Sequence, residues 1–107
     1  MTGRLSQKWF DAIANGTKTV EGRMEGNKTW QVGDKVIFSC DDQHLTVEIT
    51  YVRPYSTIAD MVAAEGAVHL TPGHTPEESE DIYARIYAPC KDGKKRIVAY
   101  GLRLITK

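Results

Sequence analysis

The strongest constraint on the fold is a period-two alternation of apolar and polar residues from His44 to Tyr55. Successive side chains of a β-strand point to opposite faces, so this segment predicts a long strand with one buried face. Two similar segments, Lys35 to Cys40 and Arg96 to Ile105, predict further strands. The residues expected on the buried faces of the two longer strands are Leu45, Val47, Ile49, Tyr51, Val98, Tyr100, Leu102 and Leu104.

One helix is predicted before the first long strand and another directly after it. The earlier one would begin at the cap Ser6 and end at Asn15-Gly16, where glycine supplies a left-handed stop. Its apolar face would place Trp9 and Ile13 in the core. The later one would run from Thr57 to Glu65.

A third helix has the clearest start. Thr75 can cap it, Pro76 suits the first helical position, and Glu78 completes a capping box. The helix would run to about Tyr87. The residues expected to face the core are Ile82, Ile86 and either Tyr83 or Tyr87. The flanking segments, 67–74 and 88–95, contain Pro-Gly or Asp-Gly pairs and predict loops.

The order of these elements predicts the fold class. A further strand is expected from Lys18 to Met24, so the order is helix, three strands, two helices and a final strand. Short turns between neighbouring strands imply antiparallel pairing. Residues 1–107 are therefore expected to form one α+β domain, a small closed or nearly closed barrel with helices at its rim.

The charge balance excludes one class of partner. Lys and Arg number 14 and Asp and Glu number 14, so no bulk positive charge exists to attract duplex DNA, although a local basic patch is possible. The two cysteines, Cys40 and Cys90, lack the close spacing of a zinc site and predict reduced thiols in a cytoplasmic protein. No membrane segment, metal or cofactor is expected.

One segment, Gly16-Thr17-Lys18-Thr19-Val20-Glu21-Gly22-Arg23, concentrates charge directly after a helix stop. On a strand, Glu21 and Arg23 project to the same face. Lys18 has the opposite parity, but it lies where loop and strand meet and can bend toward that face. Spacing alone favours a solvated strand edge with a weak ion pair. A polar cleft is the alternative.

The motif Gly-x-Lys-x-x-Glu-x-Arg, followed by Val32-Gly33-Asp34-Lys35-Val36-Ile37-Phe38, resembles the ASCH domain family. That family belongs to the PUA-like superfamily of small β-barrels. The resemblance covers nearly the whole chain. It implies a mostly antiparallel barrel of about five strands with about three flanking helices. The later segments that support it are Glu65-Gly66, Leu70-Thr71-Pro72-Gly73 and Val98-Ala99-Tyr100-Gly101-Leu102.

The resemblance implies a cleft that binds RNA or a nucleotide, lined by Lys18, Glu21 and Arg23. The two cations can bind a phosphate, and the carboxylate can accept a hydrogen bond from the exocyclic amine of a base. Trp30 is predicted to lie exposed in a loop between turns, which makes it the preferred stacking residue. The residues expected to contact the RNA backbone are Lys94, Lys95 and Arg96.

One branch of the family resembles an amidohydrolase that deacetylates N4-acetylcytidine. Lys18 and Thr19 match its motif, but Glu21 stands where that branch has its threonine nucleophile. Glu21 would then act as general base on water, with Lys18 polarising the carbonyl. Glu65 matches the assisting glutamate. The catalytic candidates for a hydrolase of modified nucleosides or RNA are thus Lys18, Glu21 and Glu65. A protein-interaction domain is the third possibility, and the oligomeric state stays open.

Overall fold

The computed structural model describes residues 1–26 and 29–106. Its five strands are β1 (Thr2–Arg4), β2 (Val20–Met24), β3 (Lys35–Cys40), β4 (Gln43–Tyr55) and β5 (Ile97–Thr106). Its five helices are α1 (Gln7–Ala14), α2 (Ile58–Glu65), α3 (Ala67–Leu70), α4 (Pro76–Ile86) and α5 (Ala88–Lys91). None of these helices is long and apolar enough to cross a membrane.

The strands form one curled sheet, a half-barrel with the order β1-β3-β4-β5-β2. β1 runs parallel to β3, and every other pairing is antiparallel. The curl brings the two edge strands close enough for Arg23 of β2 to donate to the Arg4 carbonyl of β1, at 3.2 Å. The α+β class with about five mostly antiparallel strands and three substantial helices is confirmed.

Two apolar clusters cover the two faces of the sheet. One joins α1 to the inner face and includes Phe10, Ile13 and Phe38. The other lies between the sheet and α2 to α5, and Met61 and Leu70 are fully buried in it. Because β5 contributes to both clusters, residues 97–101 are all buried. Both faces of this part of the strand are therefore covered, and neither faces solvent.

A register shift in β4 changes the face on which Tyr51 lies. Leu45, Val47 and Ile49 face the first cluster as predicted, but the pairing with β5 shifts between Ile49 and Tyr51. Tyr51 consequently packs with the second cluster, so its predicted face is wrong. Its ring covers Gly101, where an added Cβ would lie 2.3 Å from the ring carbons. A glycine is therefore needed at this crossing.

The short elements differ most from the sequence prediction. β1 was not expected, and the segments predicted as loops contain α3 and α5. The strand predicted from Lys18 begins only at Val20. These elements have three to five residues, so their formation depends on partners remote in the chain, such as β3 for β1. Local sequence patterns are too short to specify them.

Two predicted core positions, Trp9 and Ile86, are corrected, whereas the expected burial of either Tyr83 or Tyr87 is met by Tyr83. In α1, Phe10 is buried beside Ile13, whereas Trp9 is only half-buried. The backbone of α1 turns the Phe10 side chain toward the sheet, which leaves Trp9 at the margin of the core. In α4, Tyr83 is the buried aromatic residue, and Ile86 is 56% exposed because the helix ends there.

The caps of α1 and α4 differ, which yields a stability prediction. Thr75 Oγ1 accepts from the Glu78 amide at 3.2 Å, and Glu78 Oε1 accepts from the Thr75 amide at 2.9 Å, so the capping box is confirmed. The Ser6 side chain accepts no hydrogen bond from the amides of Gln7–Ala14, contrary to the prediction of a cap.

Thr75→Ala should lower the free energy of unfolding by about 1 kcal/mol, because an amide at the start of α4 loses its acceptor. Ser6→Ala is the matched control and should stay within about 0.5 kcal/mol of the parent. Urea denaturation followed by circular dichroism measures both. Equal losses in the two variants would contradict the assignment of the caps.

Candidate functional site

The charged motif lies where the chain passes from α1 into β2. Gly16 has a φ of 83°, which ends the helix, and the Lys18 amide then donates to the Ala12 carbonyl at 3.0 Å. Since β2 begins at Val20, Lys18 is outside the strand and does not follow its alternation. Its side chain can therefore reach the same cavity as Glu21, as predicted from its place at the junction of loop and strand.

The ammonium group of Lys18 is buried and fully surrounded by acceptors. Its Nζ donates to the carbonyl oxygens of Leu70 at 2.6 Å and Val20 at 2.7 Å, and lies 3.2 Å from Glu21 Oε1. Three acceptors match the three protons of an ammonium group. Burial lowers the pKa of Lys18, while the neighbouring charge of Glu21 raises it.

Glu21 lies between two cations. Oε1 faces Lys18, and Oε2 accepts from Nε of Arg23 at 3.1 Å, with Nη2 of Arg23 at 3.0 Å. The Glu21 side chain is 8% exposed. A carboxylate at this depth is stable only with such partners. The three charges thus form one connected cluster, which replaces the weak surface ion pair that spacing alone favoured.

Arg23 is the outer member of this cluster, with 26% of its side chain exposed. Its guanidinium lies 5.4 Å from the centre of the Trp30 ring and 5.7 Å from that of Phe38. Nε and Nη2 are engaged with Glu21 and the Arg4 carbonyl, but Nη1 forms no hydrogen bond with residues 1–26 or 29–106. That face of the guanidinium can accept a ligand.

Gly22 allows helix α4 to pack directly on the motif. An added Cβ would lie 2.9 Å from the Tyr83 ring and 3.0 Å from Met61. The Tyr83 hydroxyl lies 3.3 Å from the Gly22 amide and 3.4 Å from Lys18 Nζ. Burial raises the pKa of Tyr83 well above its ordinary value, so the hydroxyl stays protonated. Tyr83 was expected only as a core residue, and no sequence signal linked it to Lys18.

Two cavities open beside Arg23 at the gap between β1 and β2. The first cavity has a volume of about 200 Å³ and the second about 630 Å³. The first is lined by Lys18, Glu21, Arg23, Trp9, Tyr83 and Tyr87, among others. The second is lined by Arg23, Trp30, Tyr87, Lys95, Tyr100 and Glu25, among others. Arg4 borders both cavities, and sequence reasoning missed it because a single N-terminal arginine carries no pattern.

Trp30 is not the exposed loop residue that the sequence suggested. It is only 7% exposed, packs edge-on against Phe38 at 5.6 Å and lies 5.0 Å from Tyr100 between ring centres. The curl of the sheet folds the 29–34 segment over these rings, which the local sequence does not indicate. One part of Trp30 still lines the second cavity, so its role in ligand stacking stays a prediction.

Glu65 belongs to a different cluster. Its carboxylate accepts hydrogen bonds from the hydroxyls of Tyr51, at 2.6 Å, and Tyr55, and it lies 3.5 Å from Nη1 of Arg53. It lines neither the first nor the second cavity. These contacts join the end of α2 to β4, which gives a structural reason for an acidic residue in the last helical turn. The expected meeting of Glu65 with Lys18 and Glu21 is therefore not observed.

The basic loop residues have different surroundings. Arg96 Nε pairs with Glu25 Oε2 at 2.8 Å, and Lys95 lines the second cavity. Lys94 is exposed and lines neither cavity. Of the three, only Lys95 is placed to reach a molecule bound beside Arg23.

The buried cluster predicts strong energetic coupling. Lys18→Met should lower the free energy of unfolding by about 3–5 kcal/mol, because Glu21 would stay buried without its inner cation. Glu21→Gln should lower the free energy of unfolding less in the Lys18→Met variant than in the parent. The difference, which is the coupling energy of the double-mutant cycle, should be at least about 0.5 kcal/mol. Urea denaturation provides all four values.

Arg103→Ala is the control for this cycle. Arg103 pairs with Glu48 on the neighbouring strand and is 65% exposed, so its loss should cost at most about 1 kcal/mol. Additive effects of Lys18→Met and Glu21→Gln would contradict the proposed coupling.

The chain is similar to several solved structures. It aligns with hypothetical protein PH0355 at 27% identity and a TM-score of 0.82, over 98% of this chain and 100% of that one. Protein PF0455 from Pyrococcus furiosus aligns at 25% identity and a TM-score of 0.76, over 98% of both chains. ZmASCH from Zymomonas mobilis shares the fold at 13% identity, with a TM-score of 0.66 over 98% of this chain and 73% of that one.

No curated protein matches the chain significantly. The ASCH domain family matches residues 4–97, which include the charged motif, the buried cluster and most of both cavity linings. With this match over most of its length, the chain belongs to the ASCH domain family.

Proposed function

We propose that this protein binds RNA or a nucleotide in the groove formed by the two cavities. The observation that carries the proposal is the Arg23 guanidinium, which Glu21 and the Arg4 carbonyl hold at the border of both cavities. ASCH domains in general resemble RNA-binding domains, which agrees with this proposal.

The guanidinium suits a phosphate for two reasons. Arginine presents planar N–H groups that match phosphate oxygens, and a guanidinium already fixed by a carboxylate loses little side-chain entropy on binding. Lys18 contributes indirectly. Its own protons point to Val20, Leu70 and Glu21, so it positions Glu21, which in turn positions Arg23.

Aromatic side chains complete the chemistry of the groove. Trp9 is half-buried in the first cavity, and Tyr87 borders both cavities. Aromatic rings stack on all four bases, so this contact depends little on the nucleotide sequence of the ligand. A chain with no net charge and a small cationic site suits a short single strand better than a duplex, whose binding requires many phosphate contacts.

The same contacts favour binding over hydrolysis. Both oxygens of Glu21 already face cations, and Glu65 lies in a separate cluster. The deacetylation of N4-acetylcytidine by Lys18, Glu21 and Glu65 therefore finds no support in their arrangement.

Arg23→Gln should weaken the binding of a fluorescein-labelled ten-nucleotide single-stranded RNA about tenfold or more, because a charge-assisted contact to phosphate is lost. Fluorescence anisotropy at fixed, low salt measures the affinity. Thermal melting checks that the variant is folded.

Arg4→Ala provides a second test that does not disturb the buried cluster, since Arg4 is exposed. It should also weaken RNA binding. The matched control is Arg103→Gln, because Arg103 also pairs with a glutamate on a neighbouring strand but lines neither cavity. Equal RNA affinity of the parent, Arg23→Gln and Arg4→Ala would refute the proposal.

A further inference from the structure

The two cavities are adjacent parts of one groove. Arg4, Arg23 and Tyr87 line both of them, so two arginines and one tyrosine form the boundary between the cavities. The guanidinium of Arg23 is fixed there by Glu21. A ligand that extends from one cavity to the other must pass this boundary.

Each cavity also has its own tryptophan. Trp9 lines the first and Trp30 the second, and these are the only two tryptophans in the sequence. Trp9 lies near Lys18, with Nζ 5.7 Å from the ring centre, and Trp30 lies near Arg23. Aromatic residues therefore line both sides of the cationic boundary: Trp9 is half-buried, and Trp30, at 7% exposed, presents only a small part of its ring.

We propose that the groove recognises a segment of at least two nucleotides rather than a single nucleotide. One base lies in each cavity, and the phosphate that joins the two nucleotides lies at Arg23 and Arg4. This inference rests on the proposed function and specifies its ligand as single-stranded RNA that continues through the second cavity. Lys95, on the wall of that cavity, is placed to contact the next phosphate.

The sizes and charges of the cavities support a ligand of this length. The first cavity, at about 200 Å³, is smaller than the range of about 300–1,000 Å³ that is usual for small-molecule sites, whereas the second, at about 630 Å³, lies within it. Glu25, the acidic residue on the second wall, is paired with Arg96. Among the described residues, Lys95 forms no ion pair within 4.0 Å, so its ammonium group stays available beside the cavity.

The dinucleoside monophosphates ApA and UpU should bind about tenfold tighter than 5′-AMP and 5′-UMP, because they fill both cavities. A purely electrostatic site would show the opposite order, since a terminal phosphate carries more negative charge than a bridging one. Titrations followed by ¹H–¹⁵N NMR give the affinities. The indole N–H resonances report on the two cavities separately, and Trp9→Phe and Trp30→Phe assign them.

Both indole resonances should shift with ApA or UpU. Lys95→Gln should weaken the binding of the trinucleotides ApApA and UpUpU at least threefold and leave 5′-AMP and 5′-UMP unaffected. Lys35→Gln is the control, because Lys35 is exposed on β3 and lines neither cavity.

The outcomes distinguish this inference from the function on which it rests. If the monophosphates bind as tightly as the dinucleotides and shift only the Trp9 resonance, the two-nucleotide site is refuted while nucleotide binding stands. If RNA binds with Arg23-dependent affinity but the Trp30 resonance never shifts, the second cavity is likewise excluded. If neither RNA nor nucleotides bind, both proposals are overturned.

Discussion

The buried pairing of Glu21 with Lys18 and Arg23 is the interaction on which the rest of the site depends. Lys18 donates to the Leu70 carbonyl at the end of α3, Tyr83 reaches the cluster from α4, and Arg23 extends to the Arg4 carbonyl of β1. Elements remote in the sequence therefore meet at this cluster, through Lys18 and Arg23. A buried ionic cluster adds little net stability over an apolar core, but the loss of one member is costly, so it fixes a single arrangement.

That arrangement gives a neutral chain a localised cation. The inner charges compensate each other at depth, and Arg23 carries the positive end of the cluster to the gap between the edge strands. The half-barrel supplies the two cavities there, and Trp9, Trp30 and Tyr87 supply their aromatic surface. A guanidinium held in place by a carboxylate suits the recognition of one phosphate in a single strand. It does not need the extended positive surface that binding of a duplex requires.

Most patterns within a single element were predictable from the sequence, although the Ser6 cap and the core position of Trp9 were not, whereas most contacts between elements were not predictable. The capping box at Thr75 and the alternation from Leu45 to Ile49 depend on neighbouring residues, and both are confirmed. The burial of Trp30 depends on the curl of the sheet, and the separate location of Glu65 depends on Tyr51 and Tyr55. No local pattern encodes such long-range pairings, so an expected shared site became two clusters.

Side-chain NMR of the arginine guanidinium groups tests the central claim most directly. In the free protein, the hydrogen bond to Glu21 should slow the exchange of the Arg23 Nε proton with water, so that its resonance is observable. Addition of single-stranded RNA should shift this resonance and leave that of the exposed Arg103 unchanged. RNA binding that leaves the Arg23 resonance unmoved would contradict the account.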